Sequence, residues 1–555
     1  MVAAAKSQNK PEKKAPANDA EGSANVYTVS PKSRELVVGL VGYAGAGTST
    51  AGHRIHVLLE AAGYKVEAIK FSDLIAVLDG LPAPEAKEGI EKGRSRFERA
   101  ANFQDRGDQI RLNSGGYALA SAAIKEIKRL RGDQSAGANK TAYILDSLKH
   151  PEEVDLLRRV YDHTFRLVAV HCNLPRRQER LIGENTSEAK YGGVPSSEVF
   201  EFMDRDGKDS AKKHGQRVRD VFHLADFFLD NSMSSHGGSG MNDDIDRFVN
   251  LLLGNGLVRP TAGEKAMYVA HSSALQSACL SRQVGAALIS ADGRLVATGK
   301  NDPPKFGGGT YDEDSESDHR CFKWKFDEES GEFVGCHNDR KKDQLRKAIA
   351  DWLASQIAPK IAKKVLPVDI VLGDDVNKGK RQSLSDAVSS AILELPDAFA
   401  EMPGIRDAIE YSRSIHAEMA ALMAASRGGI STKSSTLYVT VFPCHNCARH
   451  LVAAGVEAVY FIEPYVKSLA YELHSDSITE EVLEESSLTQ KRMTVAPFTG
   501  VGPRMYDDFF VKRKELKGAR GRFDPKDEGE PYFAVRLREL NNVEDAAVGL
   551  VPDLK

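Results

Sequence analysis

The chain has 555 residues, of which 41% are hydrophobic and 28% charged, so it is long and apolar enough for two or more cores. A formal net charge of −4 gives no overall basic surface, which argues against general binding to a nucleic-acid backbone. Six cysteines are too few for a disulfide scaffold. The sequence has no apolar run of about 18 residues, the length that would predict a membrane-spanning helix. We therefore expect a cytoplasmic protein with no signal peptide and no membrane partner.

The first part of the chain alternates apolar strands with helical patterns. Residues 1–30 are rich in Lys, Ala, Asn, Glu and Pro, which predicts a disordered tail. The apolar run LVVGLVG then leads into a glycine-rich turn and a helix, and this order recurs. It predicts an α/β domain with a parallel sheet over 31–231. The turn-forming segment NSMSSHGGSGMNDD and a short helix after it predict a linker over 232–262.

The segment GYAGAGTST begins at Gly42, between the first strand and the first helix. It follows the phosphate-binding pattern GxxxxGK[ST], except that Thr48 stands at the lysine position. The backbone N–H groups of the loop can still bind phosphates without the lysine ammonium group. Loss of the ammonium group is therefore expected to impair phosphoryl transfer more than nucleotide binding. The alternative is a glycine turn that only packs strand on helix. The candidate site for a nucleotide with Mg²⁺ consists of Gly42, Gly45, Gly47, Thr48, Ser49, Thr50 and Asp146.

Three arginines follow a later strand of this domain, at Arg176, Arg177 and Arg180. They can belong to a lid over the phosphates, although each one alone is equally typical of a solvated helix face.

A second domain is predicted over 263–555. After a first helix, QVGAALIS and RLVATGKN form two strands around an Ala-Asp-Gly turn. A polar insertion at about 303–410 then interrupts the pattern, and we expect it to lie at the rim of the active site. The α/β order resumes with a helix through HAEMAALMAASR, a strand STLYVTVF, a helix from Cys444 and a strand AVYFIE.

The strongest chemical signal is HAE at 416–418 followed by PCHNC at 443–447, the H-x-E…P-C-x-x-C pattern of zinc deaminases. Cys444 and Cys447 lie three positions apart at a predicted helix start, where both thiolates can bind one ion. With His416 they give three ligands and leave a fourth position for water, as a catalytic zinc requires. Glu418 is then the residue that moves protons. The alternatives are a structural zinc knuckle or a redox Cys-x-x-Cys.

Two further cysteines and two histidines lie within about twenty positions of the insertion, a set that can form a second, closed zinc site. Their spacing is irregular, so chance is a somewhat better explanation than a metal site. These residues are His319, Cys321, Cys336 and His337.

Three blocks make residues 265–470 resemble the deoxycytidylate deaminase family: QSACLSRQVGAALISADGRLVATGKNDPP, HAEMAAL and LYVTVFPCHNCARHLVAAGV. The resemblance implies a free deoxycytidine nucleotide as substrate, bound by Asn301 and by backbone groups at Ala417 and Cys444. Asn301 also fits an ordinary turn at a strand end. The residues Tyr465, Lys467 and Ser468 can meet the substrate phosphate, or they can be solvated residues before a helix.

The first domain resembles nucleoside monophosphate kinases, and the two domains together look like the anti-phage dCTP/dCMP deaminases of bacteria. The fold that this implies is a P-loop, kinase-like parallel-sheet domain followed by a cytidine-deaminase-like α/β/α domain with a large insertion. The resemblance also implies loss of the dCTP pool during infection, regulation by a nucleotide or an inhibitory partner, and a homo-oligomer. Two other hypotheses are a deaminase of RNA or single-stranded DNA and a non-catalytic nucleotide sensor. The choice between dCMP and dCTP stays open.

Overall fold

A computed structural model describes most of the protein. The described residues are 33–78, 96–133, 138–182, 196–208, 214–232, 240–323, 335–365, 374–395, 399, 402, 405, 411–465, 467–480, 491–512, 517–523 and 539–551. The tail predicted over 1–30 lies outside them. A search of the described helices finds no stretch with the length and apolar character that crossing a bilayer demands.

Strands and helices alternate through the N-terminal half. Its main elements are β1 (Leu36–Gly42), α1 (Thr48–Ala61), β2 (Lys65–Lys70), α2 (Phe71–Leu78), α3 (Arg96–Ser114), α4 (Ala118–Arg131), β3 (Thr141–Asp146), α5 (Pro151–Tyr161), β4 (Phe165–His171), α6 (Leu174–Ile182), α7 (Ser196–Lys208), α8 (Val218–Phe222), β5 (Phe227–Asp230) and α9 (Met241–Leu253). β1 is buried at all seven positions, as a central strand covered on both faces should be. Because successive side chains point to opposite faces, Val37 and Val41 pack in one core and Val38 and Leu40 in another.

The main elements of the C-terminal half are α10 (Ala262–Ala274), β6 (Gly285–Ile289), β7 (Leu295–Lys300), α11 (His337–Val365), α12 (Asp374–Leu393), α13 (Ala417–Arg427), β8 (Thr436–Val441), α14 (His445–Ala453), β9 (Ala458–Glu463), α15 (Ala470–Leu473), β10 (Ile478–Thr479), β11 (Met493–Pro497), β12 (Gly500–Val501), α16 (Tyr506–Phe510) and α17 (Leu540–Gly549). The insertion contributes α11 and α12, which pack against each other.

Two six-stranded sheets organise the described residues. The first has the order β12-β5-β4-β1-β3-β2 and is parallel except for β12. The second has the order β10-β11-β9-β8-β6-β7, in which the predicted β6–β7 hairpin is confirmed and β8, β9, β11 and β10 run parallel. The predicted combination of a parallel P-loop sheet and a second α/β domain is therefore confirmed.

The second sheet is covered on both faces. Ala286 and Leu288 of β6 pack in a core that includes residues of α13 and α14. Ala287, which points the other way, packs with Met267 and Ala270 of α10. The core that contains Ala287 also contains residues of the N-terminal half, among them Val37. The two halves therefore share buried apolar surface.

Late parts of the chain complete the N-terminal half. β12 pairs with β5, with Gly500 opposite Phe228 and Val501 opposite Phe227. α17 packs against α4 and α5. Within the predicted linker over 232–262, α9 buries one face in the N-terminal core, including Ile245, which is fully buried. That part of the linker is structured because its apolar residues recur with helical spacing.

Candidate metal centre and active site

Three side chains converge at the N-terminal ends of two helices of the C-terminal half. Nδ1 of His416 lies 3.3 Å from Sγ of Cys444 and 3.3 Å from Sγ of Cys447. All three ligand atoms lie within 4.8 Å of one another, and no other group of three such residues meets this criterion in the described part of the chain. The residues that the sequence predicts as zinc ligands are therefore brought together.

Local structure places these ligands. His416 is the N-cap of α13, and Cys444 is the N-cap of α14, where its Sγ accepts a hydrogen bond from the N–H of Cys447 at 3.4 Å. The positive end of the helix dipole favours a thiolate at such a position. Gly299 of β7 lets α13 approach, because a Cβ atom there would lie 2.0 Å from the carbonyl oxygen of Ala417.

The two thiols interact strongly. The hydrogen bond with Cys447 lowers the pKa of Cys444 to about 4, against the effect of its burial, and His416 adds to the lowering. The same hydrogen bond and burial raise the pKa of Cys447. Because a thiol must lose its proton to bind a metal ion, a bound cation would displace the protons that these thiols hold. One imidazole and two cysteines suit Zn²⁺ and leave a fourth tetrahedral position.

Glu418 lies in the first turn of α13, two residues after His416, and is 4% exposed. Burial raises its pKa to about 7, the charge of Cys444 adds to this, and His416 opposes it. A carboxyl group with this pKa can accept and release a proton near neutral pH.

A cavity of about 390 Å³ opens onto His416, Glu418 and Cys444. Five of the six residues predicted to bind substrate line it: Asn301, Ala417, Cys444, Tyr465 and Lys467. Ser468 does not line it. The hydroxyl of Ser468 donates to the carbonyl of Pro443 at 2.8 Å and accepts from the N–H of Ala470, so it holds the loop before Cys444.

Asn301 is bonded to the backbone beside the cavity. Its amide group donates to the carbonyl of Arg282 at 2.8 Å, and its Oδ1 accepts from the N–H of Val284 at 2.7 Å. The side chain thus fixes the segment before β6 as well as lining the cavity. Its contact with substrate stays a prediction.

The predicted second zinc site is not formed as a set. Nε2 of His319 lies 2.7 Å from the hydroxyl of Ser317, and the His319 ring packs on Tyr311. Three of the four residues line the main cavity instead, together with Cys279, which the sequence reasoning missed. These are Cys321, Cys336 and His337.

The glycine-rich loop adopts backbone angles that favour glycine at two positions. Gly45 and Gly47 have positive φ angles of 80° and 92°, and a Cβ atom at Gly47 would lie 2.3 Å from Nδ2 of Asn231. Ser49 donates to Asp146 at 2.6 Å, so two predicted members of the site are in contact. Thr50 is exposed on α1.

A lysine that sequence reasoning missed contacts this loop from the segment that follows β3. Nζ of Lys149 donates to the carbonyl of Gly42 at 3.1 Å and pairs with Asp206 at 2.8 Å. Asp206 is buried and also accepts from the N–H of Ala44 at 2.6 Å. Lys149 was predictable, because β1 and β3 are parallel neighbours and the residues that follow them meet at one edge. Asp206 has no comparable signal in the sequence.

Two of the three predicted lid arginines contact the loop. Nε of Arg177 donates to the carbonyl of Ala44 at 2.9 Å, and Arg180 donates to the carbonyl of Gly45 at 3.1 Å. Arg176 pairs instead with Glu179 on the surface of α6. The loop is therefore surrounded by cationic side chains, although position 48 carries none.

Comparisons with known proteins agree with the zinc signature. A family model for the cytidine and deoxycytidylate deaminase zinc-binding region matches residues 373–463. ComE operon protein 2 of Bacillus subtilis is 33% identical over 82 residues, which cover 15% of this chain and 39% of that protein. Deoxycytidylate deaminase of Enterobacteria phage T2 is 25% identical over 202 residues, which cover 36% of this chain and 80% of that enzyme.

Among solved structures, shikimate kinase from Bacteroides thetaiotaomicron has a TM-score of 0.24 and 14% identity, and the match covers 39% of this chain and 98% of the kinase. The family match is the more informative, since it contains the three converging ligands and Glu418. Within residues 373–463 the chain is thus similar to the zinc-binding region of cytidine and deoxycytidylate deaminases.

Proposed function

We propose that the protein hydrolyses the 4-amino group of a free deoxycytidine nucleotide, dCMP or dCTP, to give the deoxyuridine nucleotide and ammonia. The observation that carries this proposal is the buried Glu418 beside three converging metal ligands, two of which, His416 and Cys444, line the same cavity as Glu418. A zinc ion held by His416, Cys444 and Cys447 would supply an ionised water near neutral pH, because one coordination position stays open. The similarity to the phage deoxycytidylate deaminase supports the choice of substrate.

Glu418 is the proposed proton carrier. Hydrolysis adds the oxygen of water to C4 of the ring, protonates N3, and then breaks the bond between C4 and the departing nitrogen. Glu418 takes one proton from water and delivers it to N3. It then takes the second proton from the new hydroxyl on C4 and delivers it to the amine, so that the C4 carbonyl forms as ammonia leaves. Its pKa of about 7 suits both directions of transfer, since the group can be ionised before the reaction and protonated during it.

A single nucleotide fits the cavity better than a nucleic-acid strand does. A volume of about 390 Å³ is in the usual range of small-molecule sites. Binding of RNA or single-stranded DNA would call for an extended basic groove with stacking aromatic residues, and the net charge of −4 with 7% aromatic residues gives that little support.

The test is a product assay with purified, zinc-loaded protein. We expect uracil products from dCMP, dCTP or both, and none from a single-stranded DNA oligonucleotide. CMP and CTP are included to test whether the enzyme requires deoxyribose. The Glu418→Gln variant should form product at least about a hundredfold more slowly. If no free nucleotide is turned over, with or without added ATP or GTP, the proposal is wrong.

We also propose that the glycine-rich loop binds a nucleotide that regulates the deaminase half. Lys149 brings an ammonium group, paired with Asp206, to a loop in which Thr48 carries no charge. The first turn of α1 has no side-chain cap, which leaves its N–H groups for an anion. The loop is connected to the C-terminal part of the chain through Asn231, whose side chain donates to the carbonyl of Ala46 at 2.8 Å. Asn231 directly follows β5, and β5 pairs with β12. This arrangement favours binding over phosphoryl transfer.

Calorimetry with ATP, GTP and dNTPs tests this role in the full-length protein. We expect Lys149→Met to weaken binding by about tenfold or more, the size of one charge-assisted contact. The exposed Lys433 provides a matched control, Lys433→Met, which should bind normally. Unchanged binding in Lys149→Met, or unchanged deaminase kinetics when the loop is saturated, would remove the regulatory role.

The biological part of the proposal is depletion of the dCTP pool during phage infection, which rests on the resemblance of the two-domain sequence. Bacteria that express the protein should lose dCTP after infection and yield fewer plaques, and cells with Glu418→Gln should do neither. Equal plaque numbers with both proteins would contradict this role while leaving the enzymatic proposal intact.

A further inference from the structure

The insertion forms one wall of the cavity. Cys336, His337, Asn338 and Lys342 lie in or just before the first turns of α11, and all of them line it. The segment directly before the zinc ligand His416 adds Ser412, Arg413 and Ser414. Residues that the sequence places in a polar insertion thus face the same space as Glu418.

This wall carries positive charge. Lys342 is on α11, one turn beyond Asn338 and on the same face, and it is 9% exposed. Arg413 donates one of its hydrogen bonds to the carbonyl of His319, at 2.9 Å. The positive potential acts on His337, whose pKa is lowered to about 4 by burial first and then by Arg413 and by Arg340 and Lys341.

The cations fall into two groups on different elements. Lys467 and Arg282 lie on the side of β9, where Arg282 also pairs with Glu463 at 3.3 Å. Lys342 and Arg413 lie on the side of the insertion. Apart from Glu418 at the metal centre, the carboxylate among the described lining residues is Asp339. A monophosphate offers one phosphoryl group to these cations, whereas a triphosphate offers three.

We infer that Lys342 and Arg413 bind the outer phosphates of a deoxycytidine triphosphate, so that the insertion selects the triphosphate over the monophosphate. The inference rests on the proposed deamination of a free nucleotide. Both side chains act in binding and take no part in proton transfer.

The test compares deoxycytidine, dCMP and dCTP as substrates of the full-length, zinc-loaded protein. We expect Lys342→Met to lower kcat/KM for dCTP by about 10- to 100-fold, mainly through KM, because the lost contact is to a charged group. The value for dCMP should change by less than about twofold. Lys342→Arg should restore the preference, and Lys347→Met, on the exposed side of the same helix, should leave every substrate unchanged.

A second measurement does not depend on turnover. In the Glu418→Gln background, calorimetry should show that Lys342→Met and Arg413→Gln each weaken dCTP binding and leave dCMP binding unchanged. Equal losses for both nucleotides would indicate a structural role and overturn the inference, as would no loss for either. Weaker binding of a single-stranded oligonucleotide with unchanged dCTP binding would overturn it as well.

The two proposals fail in different ways. If wild-type protein converts dCMP and dCTP but Lys342→Met keeps their ratio, only the triphosphate inference is wrong. If wild-type protein converts neither nucleotide and the Glu418→Gln protein does not bind dCTP, both proposals are wrong.

Discussion

Arg131 on α4 and Glu544 on α17 form a two-point ion pair with distances of 2.8 and 2.9 Å, although 413 positions separate them in the sequence. Glu35 contacts the same guanidinium group at 2.8 Å, and all three side chains are buried. Burial alone would lower the pKa of Arg131, but the hydrogen bonds and charges of the two glutamates raise it. The last helix is thereby attached to the first domain by charge as well as by apolar packing.

Arg131→Met should lower the free energy of unfolding by about 3–5 kcal/mol, because it leaves two buried carboxylates without their cation. Urea unfolding of the full-length protein measures this. The control is Arg129→Met, whose ion pair with Glu126 is exposed and should contribute no more than about 1 kcal/mol. Equal effects of the two changes would show that the buried pair is unimportant for stability.

Glu418→Gln should reduce kcat by about 10²–10⁴-fold while zinc content stays normal, because the carboxylate moves protons and is not a ligand. Elemental analysis of the purified variant gives the metal content. Glu472→Gln changes an exposed glutamate on α15 and should behave like wild type. Loss of zinc in the Glu418 variant would mean that this side chain supports the metal instead.

His416→Ala should lose both zinc and activity, since two thiolates alone hold the ion poorly. His450→Ala is the matched control, because His450 is exposed on α14, three residues after the ligand Cys447. This variant should keep one zinc per chain. A chelator should abolish activity of the wild-type protein, and added Zn²⁺ should restore it; activity that persists without metal would contradict the assignment.

His150 should make stability depend on pH. Burial lowers its pKa, with a further lowering from Arg111 and an opposing effect of Glu153. The unfolded chain therefore binds a proton more readily than the folded protein, and stability is complete above the unfolded pKa of about 6.5 and falls as pH decreases towards the lower folded value.

His150→Asn keeps an N-cap acceptor for α5 but cannot titrate, so Tm should fall less between pH 7 and 5 than it does in wild type. His53→Asn, at an exposed position on α1, should leave the slope of Tm against pH unchanged. Parallel curves for His150→Asn and wild type would exclude His150 as the titrating group.

Two kinds of site residue could be predicted from the sequence. Some lie close together in the sequence, and others follow the ends of neighbouring parallel strands. Cys444 and Cys447 lie within one helical turn, and His416 and Glu418 begin the preceding helix, so local sequence was sufficient. The contact between Ser49 and Asp146 follows from two parallel neighbouring strands.

The remaining features depend on how distant segments pack. The insertion was expected at the rim of the active site, but no periodicity shows that Lys342 is one of its residues that line the cavity. Asp206 accepts a hydrogen bond from the N–H of Ala44, which is 162 positions away in the sequence. β12 has only two residues, Gly500 and Val501, which is too short for any strand pattern. His319 was assigned to a metal site from proximity in sequence alone, and its ring turns to Tyr311 instead.

The pairing of β12 with β5 has a consequence for protein synthesis. The apolar edge formed by Phe227 and Phe228 leaves the ribosome long before Val501, its partner in the sheet. At about 5–20 residues per second the delay is on the order of tens of seconds. An open strand edge of this kind can pair with other chains, so the nascent N-terminal half needs protection, and fragments that end before residue 500 should aggregate when expressed alone.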